Sequence, residues 1–223
     1  VNVEHLSAGD LTSNISDVTS LETAIYNADH LAGAQHVSLT ISDAQAHALS
    51  GVDQFSFHAG DVVVDGAHST HLSTSLSSLE KLNINAVSVG ASGLSVDLGG
   101  SLDAVAHGAI PTFAGGPVSL SLDNVNELDG LAAISANGLT GDIHALSTHG
   151  VTDVNLEHLS AGDLTSNISD VTSLETAIYN ADHLAGAHHV SLTISDAQAH
   201  ALSGVNQFSF HAGDVVVDGA HST

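Results

Sequence analysis

The chain has 223 residues, of which 25 are Asp or Glu and one is Lys, and its formal net charge is −24. Phosphate backbones and anionic membrane surfaces repel such a charge, so nucleic-acid binding is excluded. Hydrophobic residues make up 43% of the chain, which is too apolar for a disordered acidic tail, and the absence of Cys removes disulfides, thiol catalysis and Cys-based zinc sites.

Strand-like and helix-like segments alternate along the chain. Alternating apolar residues predict strands, and one continuous parallel sheet is expected to be lined by Val37, Leu39, Val87, Val89, Val118, Leu120, Val154, Leu156, Val190 and Leu192. Residues 55–57 and 62–66 are two further strand-like phrases. Apolar residues at helical spacing predict short helices, at residues 16–31, 72–82, 101–110 and 123–134. Glycines are expected to end helical segments at Gly51, Gly108, Gly138 and Gly150.

A long internal duplication organises the chain. Residues 1–70 recur as residues 154–223, and the two segments differ at only three positions, which are Val3/Leu156, Gln35/His188 and Asp53/Asn206. Because the identity includes positions with surface character, we expect a tandem array with residues 1–153 as one full unit and residues 154–223 as the start of the next. Within the unit, the strand spacing suggests sub-units at about residues 36–85, 86–116 and 117–152.

Repeats of this length predict a solenoid, in which each coil buries its apolar side by stacking on its neighbours. The strand pattern favours a β-rich parallel β-solenoid with short helices flanking the coils. Packed helices need about 8–10 Å whereas parallel strands are about 4.8 Å apart, so a curved, leucine-rich-repeat-like mixed α/β architecture is the alternative.

Two phrases of the chain resemble repeats found in very large secreted bacterial surface proteins. These are VSLTISDAQAHAL at residues 37–49 and LSTSLSSLEKLNINAVSV at residues 72–89. The resemblance is to adhesin-like and S-layer-like chains exported by type I systems, and it implies an extracellular or cell-surface location. The chain departs from that pattern because it lacks the glycine-rich nonapeptide G-G-x-G-x-D that such proteins often use to bind calcium.

Acidic residues beside glycines predict cation sites at turns, where carboxylates suit an oxygen-preferring ion such as calcium. The candidate ligands are Asp10, Asp61, Asp65, Asp142, Asp163, Asp214 and Asp218. The alternative interpretation is that Asp and Gly simply form the turns. Calcium bridging these carboxylates would offset the repulsion between copies of so acidic a chain, and we therefore expect calcium-assisted assembly.

Imidazoles next to carboxylates raise the further possibility of a transition-metal site. The candidates are Asp29-His30 with His36, and their copies Asp182-His183 with His188 and His189. His68 and His71, three residues apart, form another candidate pair. For each of these groups the alternative interpretation is a set of solvated histidines at helix ends.

The combined features predict a structural protein and no enzyme activity. We expect an extracellular bacterial repeat protein that forms a rod or self-assembling fibre through copies of itself, without membrane insertion. An adhesin stalk that spaces a separate ligand-binding head is the alternative. A metal-dependent enzyme is a third class, disfavoured because the chain has no G-x-S-x-G motif and duplication gives each copy the same surface instead of one preorganised cleft.

Overall fold

A computed structural model describes residues 1–31, 36–58, 62–206, 208–211 and 213–219, except for the side chain of Asp103. Its helices are α1 (Ala8–Ser13), α2 (Ile15–Asp29), α3 (Asp43–Ser50), α4 (Leu76–Lys81), α5 (Leu102–Ala106), α6 (Val125–Leu128), α7 (Ala136–Thr148), α8 (Ala161–Ser166), α9 (Ile168–Asp182) and α10 (Asp196–Ser203), with a 3₁₀ helix at Leu131–Ala133. Its strands are β1 (Leu39–Ser42), β2 (Val62–Gly66), β3 (Ala86–Val89), β4 (Leu94–Asp97), β5 (Thr112–Ala114), β6 (Val118–Ser121), β7 (Asp153–Asn155), β8 (Ser191–Ser195) and β9 (Val215–Asp218).

The strands form two parallel sheets. The first sheet has the order β1-β2-β3-β5 and the second has the order β4-β6-β7-β8-β9. Parallel neighbours cannot be joined by a hairpin, so the chain crosses over between them, mostly through helices. Leu, Val and Ile side chains from both sheets and from the helices fill the buried core. The result is a compact α/β domain.

The predicted solenoid with one continuous sheet is therefore wrong, as is its leucine-rich-repeat-like alternative. The apolar strand residues are divided between the sheets: Leu39 and Val87 belong to the first sheet, whereas Leu120, Val154 and Leu192 belong to the second. A filament-forming repeat, which was expected to follow from the solenoid, is wrong for the same reason. The phrase at residues 55–57 forms no strand in the described structure.

Glycine-rich turns carry the chain from one sheet to the other. Gly90 to Gly93 connect β3 to β4, and residues 115–117 connect β5 to β6. Gly115 has a φ of +129°, and a Cβ atom there would lie 2.0 Å from the carbonyl oxygen of Val89. A Cβ on Gly116 would lie equally close to the carbonyl oxygen of Gly90. Because the two turns are in backbone contact, the division into two sheets depends on these glycines.

We expect Gly115→Ala to lower the free energy of unfolding by at least about 2 kcal/mol, because the methyl group meets a backbone oxygen at a φ that L-residues avoid. Gly141→Ala is the matched control: Gly141 lies within α7 and a Cβ there meets no atom within 4 Å. This control should gain about 0.5–1 kcal/mol from helix propensity. Urea denaturation of both variants measures the difference, and equal stabilities would contradict the proposed role of the turn.

The near-identical segments contain the same order of elements. Helices α1, α2 and α3 and strands β1 and β2 of the first segment correspond to α8, α9, α10, β8 and β9 of the second. Their surroundings differ, because β1 and β2 lie in the first sheet and β8 and β9 in the second. Strand β2 pairs with β3, whereas β9 ends its sheet in the described chain and leaves Val216 and Val217 48% and 47% exposed.

Helix boundaries follow local capping. The Ser42 side chain accepts a hydrogen bond from the backbone N–H of Gln45, and the Gln45 side chain accepts one from the N–H of Ser42, so the two residues form a capping box at the start of α3. The expectation that Gly138 ends a helix is wrong, because Gly138 lies within the first turns of α7 and donates its N–H to the Ser135 side chain. None of the helices in the described ranges is long and apolar enough to cross a membrane.

Glu80 on α4 is a half-buried carboxyl group. Its Oε1 atom is buried and has no hydrogen-bond partner among the described side chains, and a Cβ on Gly108 would lie 2.5 Å from it. Burial raises the pKa of Glu80 to about 7. Between the ordinary carboxyl pKa of 4.5 and about 7, the folded state keeps a proton that the unfolded chain has released. This group therefore removes stability as the pH rises through that window.

Glu80→Gln should flatten this part of the pH dependence, because the neutral amide has no proton to release. Relative to the parent chain, the variant is expected to gain stability between pH 4.5 and about 7. The measurement is the difference in free energy of unfolding between the two chains at each pH. Parallel stability curves across this window would contradict the assignment to Glu80.

Candidate metal centre

The second segment brings two neighbouring residues and a third that is more distant in sequence together at one end of its sheet. Asp182 is the last residue of α9, His189 precedes β8, and Asp214 precedes β9. Strands β8 and β9 are parallel neighbours, and the N–H of Leu192 donates to the carbonyl of Asp214 over 2.7 Å. The starts of both strands therefore meet the carboxyl end of α9, where the helix dipole is negative and favours a cation.

One potential ligand atom from each of Asp182, His189 and Asp214 lies within 4.8 Å of the other two. One oxygen of Asp182, Oδ1, accepts a hydrogen bond of 3.0 Å from the N–H of Val190, and the other contacts Nδ1 of His189. Asp214 is 7% exposed, and its Oδ2 atom is buried without a hydrogen-bond partner in the described structure. A buried, unpaired carboxylate oxygen is costly unless a proton or a cation compensates it.

Two carboxylates and two imidazoles lie near Asp214. Burial raises the pKa of Asp214, the nearby carboxylates of Asp182 and Glu175 raise it further, and His189 and His211 act in the opposite direction. No Lys or Arg can compensate these charges at the site, since the only such residue of the chain is Lys81, whose Nζ donates to the carbonyl of Ser50.

A contact between a carboxylate and an imidazole holds the loop before β9 next to Asp182, His189 and Asp214. Glu175 of α9 is buried, and both of its oxygens lie 2.9 Å from Nδ1 of His211. The His211 ring stacks on Tyr179 with centroids 4.1 Å apart. Because Glu175, Tyr179 and Asp182 follow one another at helical spacing, a single face of α9 holds the loop and presents Asp182 to Asp214.

The first segment repeats much of this arrangement. His36 contacts Asp29, and Oδ1 of Asp29 accepts a hydrogen bond of 2.6 Å from the N–H of Val37. Glu22 binds His58, which stacks on Tyr26. The counterpart of Asp214 is Asp61, which lies outside the described residues. None of the three differences between the segments changes the trio of Asp182, His189 and Asp214 or its copies, but His188, next to His189, replaces Gln35.

Most of the predicted calcium ligands lie apart from one another in local hydrogen bonds. Asp10 and Asp163 each form a capping box with a serine at a helix start, and bonds from Ser7 and Ser160 lower their pKa values. Asp65 accepts from Ala67 and Ser88, which lowers its pKa.

Two further candidates are also in local contacts. Asp142 is buried on α7 with His107 at 3.6 Å, and Asp218 ends β9. Among the described candidates, Asp214 alone joins a group of three potential ligands.

The histidines predicted as metal ligands also contact different groups. Nδ1 of His183 is 2.7 Å from the carbonyl oxygen of Tyr179, so His183 caps the helix end while His189 contacts Asp182. Nε2 of His71 is 3.6 Å from a carboxylate oxygen of Asp97. Of the predicted residues, Asp182, His189 and Asp214 thus come together at one place. Glu175 and His211 had no sequence signal beyond their residue types.

Comparison of the chain with protein-family models, with curated protein sequences and with solved structures finds no significant match. The resemblance to repeats of large secreted surface proteins therefore stays a prediction.

In metal-free protein, we expect Asp214→Asn to raise the free energy of unfolding by about 1 kcal/mol, because it replaces an unpaired buried carboxylate by a neutral group of similar size. Asp53→Asn is the matched control, since residue 53 is exposed and its copy in the second segment is already Asn206. Denaturation in the presence of a chelator measures both changes. A loss of stability in Asp214→Asn alone would show that the carboxylate is already compensated within the protein.

Proposed function

We propose that the chain is a metal-binding structural module that holds a divalent transition-metal ion between Asp182, His189 and Asp214. The observation that carries the proposal is the buried, unpartnered Oδ2 atom of Asp214, within 4.8 Å of ligand atoms from an imidazole and a second carboxylate. A divalent cation would compensate the negative charge that burial makes costly. By sequence equivalence, Asp29, His36 and Asp61 form a second site.

The donor set favours zinc among the common divalent ions. Zinc accepts imidazole nitrogen together with carboxylate oxygen in a four-coordinate site, whereas calcium takes six to eight oxygen ligands. Three protein ligands would leave a fourth position for water or for His188, the imidazole next to His189. Calcium, expected from the turn carboxylates, remains the competing ion for the experiment.

A structural role follows from what the ligands connect. The ion would join the end of α9 and the start of β8 to the start of β9, which follows later in the sequence. Strand β9 pairs on one side only in the described chain, so it has few other constraints. A ligand that binds only the folded state stabilises it by about 2.7 kcal/mol at a free concentration of about 100 times Kd. Binding would thus order the end of the second sheet.

Calorimetric titration of chelator-treated, dialysed protein tests the proposal. Near neutral pH we expect zinc to bind with a stoichiometry of two per chain and to raise the melting temperature. Asp214→Asn and His189→Gln should each remove one equivalent, and Asp61→Asn should remove the other. Asp53→Asn and His47→Gln, which change exposed residues away from the trio, should retain both.

Other outcomes of the titration would contradict the site, the choice of ion or the structural role. Unchanged zinc binding in Asp214→Asn would contradict the assigned site and point to scattered surface histidines. Saturable calcium binding that Asp214→Asn removes, without zinc binding, would retain the site but replace the ion. Failure of both ions to raise the melting temperature would overturn the structural role.

A further inference from the structure

The near-identical segments differ in how much of their helical face is covered. Leu174 of α9 is fully buried, whereas its copy Leu21 on α2 is 37% exposed. Leu159 is 5% exposed and its copy Leu6 is 40% exposed. Since the residues and local backbone are the same, the difference measures what packs against each segment.

In the second segment, the 3₁₀ helix at Leu131–Ala133 and α7 cover α9. The N–H of Ala132 donates to Oδ1 of Asp170 over 2.7 Å, and Asp170 is buried. Leu139 of α7 lines a crevice together with Ala177 of α9. The 3₁₀ helix and α7 therefore cover this face of α9, and the hydrogen bond from Ala132 to Asp170 fixes their position.

In the first segment, the copies of Leu159, Asp170 and Leu174 line an open apolar groove. The groove has a volume of about 360 Å³ and is lined by residues that include Leu6, Leu11, Val18 and Leu21. Asp17, the copy of Asp170, also lines the groove and is exposed. The groove therefore retains both the apolar surface and the acceptor that the second segment uses.

We infer that the groove lined by Leu6, Asp17 and Leu21 binds a helical segment with the sequence of residues 131–148. The duplication identifies the occupant, because residues 131–148 lie before the second segment and cover α9, the copy of α2. Asp17 would then accept a hydrogen bond from the backbone N–H of the occupant's Ala132 position, as Asp170 accepts one from Ala132. This inference does not depend on metal binding.

Thiol labelling tests the inference, because the chain contains no Cys. An extended chain carries a second copy of residues 71–153 directly before Val1, which places the added α7 sequence at the natural distance from α2. The labelling rate of Leu21→Cys should fall by at least about tenfold in the extended chain, as expected when reaction requires local opening. Leu174→Cys should react slowly in both chains. All reactions are run in chelator, so their outcome is separate from that of the metal titration.

Two controls identify the contact. Leu139→Asp in the added copy alone should restore fast labelling of Leu21→Cys, and Asp17→Ala should restore it in part.

A peptide of residues 129–150 added to the chain without the extension should slow the labelling saturably, which keeps the test valid if the extended chain fails to fold. Unchanged labelling with both the peptide and a folded extended chain would overturn the inference. A dimer of the chain without the extension in which Leu21→Cys is already protected would also overturn it, in favour of a second copy as occupant.

Discussion

The fold depends on close backbone contact between successive glycine turns. At residues 115–117 the chain leaves the first sheet for the second, and Gly115 and Gly116 lie against the carbonyl groups of Val89 and Gly90 in the turn before. A similar approach brings Gly150 to the carbonyl oxygen of Phe113, where a Cβ would lie 2.6 Å away. A side chain at these points would separate the turns and, with them, the strands that each turn positions. The two-sheet arrangement therefore has a steric basis in residues without a Cβ.

The candidate metal centre results from the same arrangement of parallel elements. Parallel pairing of β8 and β9 brings the residues before them together, and the returning helix α9 places its carboxyl end beside them. Acidic residues at that end meet the negative end of the helix dipole, which is unfavourable for carboxylates and favourable for a cation. In a chain with 25 acidic residues and one Lys, this charge can be compensated by a proton, by a neighbouring imidazolium or by a bound cation.

Local features of the chain could be predicted from the sequence, whereas the assembly of strands could not. Leucine spacing located α2 and α4, and the Asp182 and His189 pairing followed from their short separation. The division into two sheets was missed because apolar alternation carries no information about which strands pair. Helix α7 was missed because Gly138 suggested a helix end. Asp214 could be proposed as a ligand, but its partners are set by the β8–β9 pairing, which lies beyond the range of any local pattern.

The half-exposed valines of β9 have a consequence for the behaviour of the protein in solution. Strand β9 is the last strand of its sheet among the described residues, and with Val216 and Val217 exposed it can pair with the edge of another molecule. At neutral pH the net charge of −24 opposes such encounters, because every approaching molecule carries the same sign. Near the sequence pI of about 4.5 this repulsion vanishes while the apolar edge is unchanged. The colloidal stability of the chain at neutral pH thus depends on its charged carboxylates. Acidification neutralises them, and the exposed edge of β9 can then associate with another molecule.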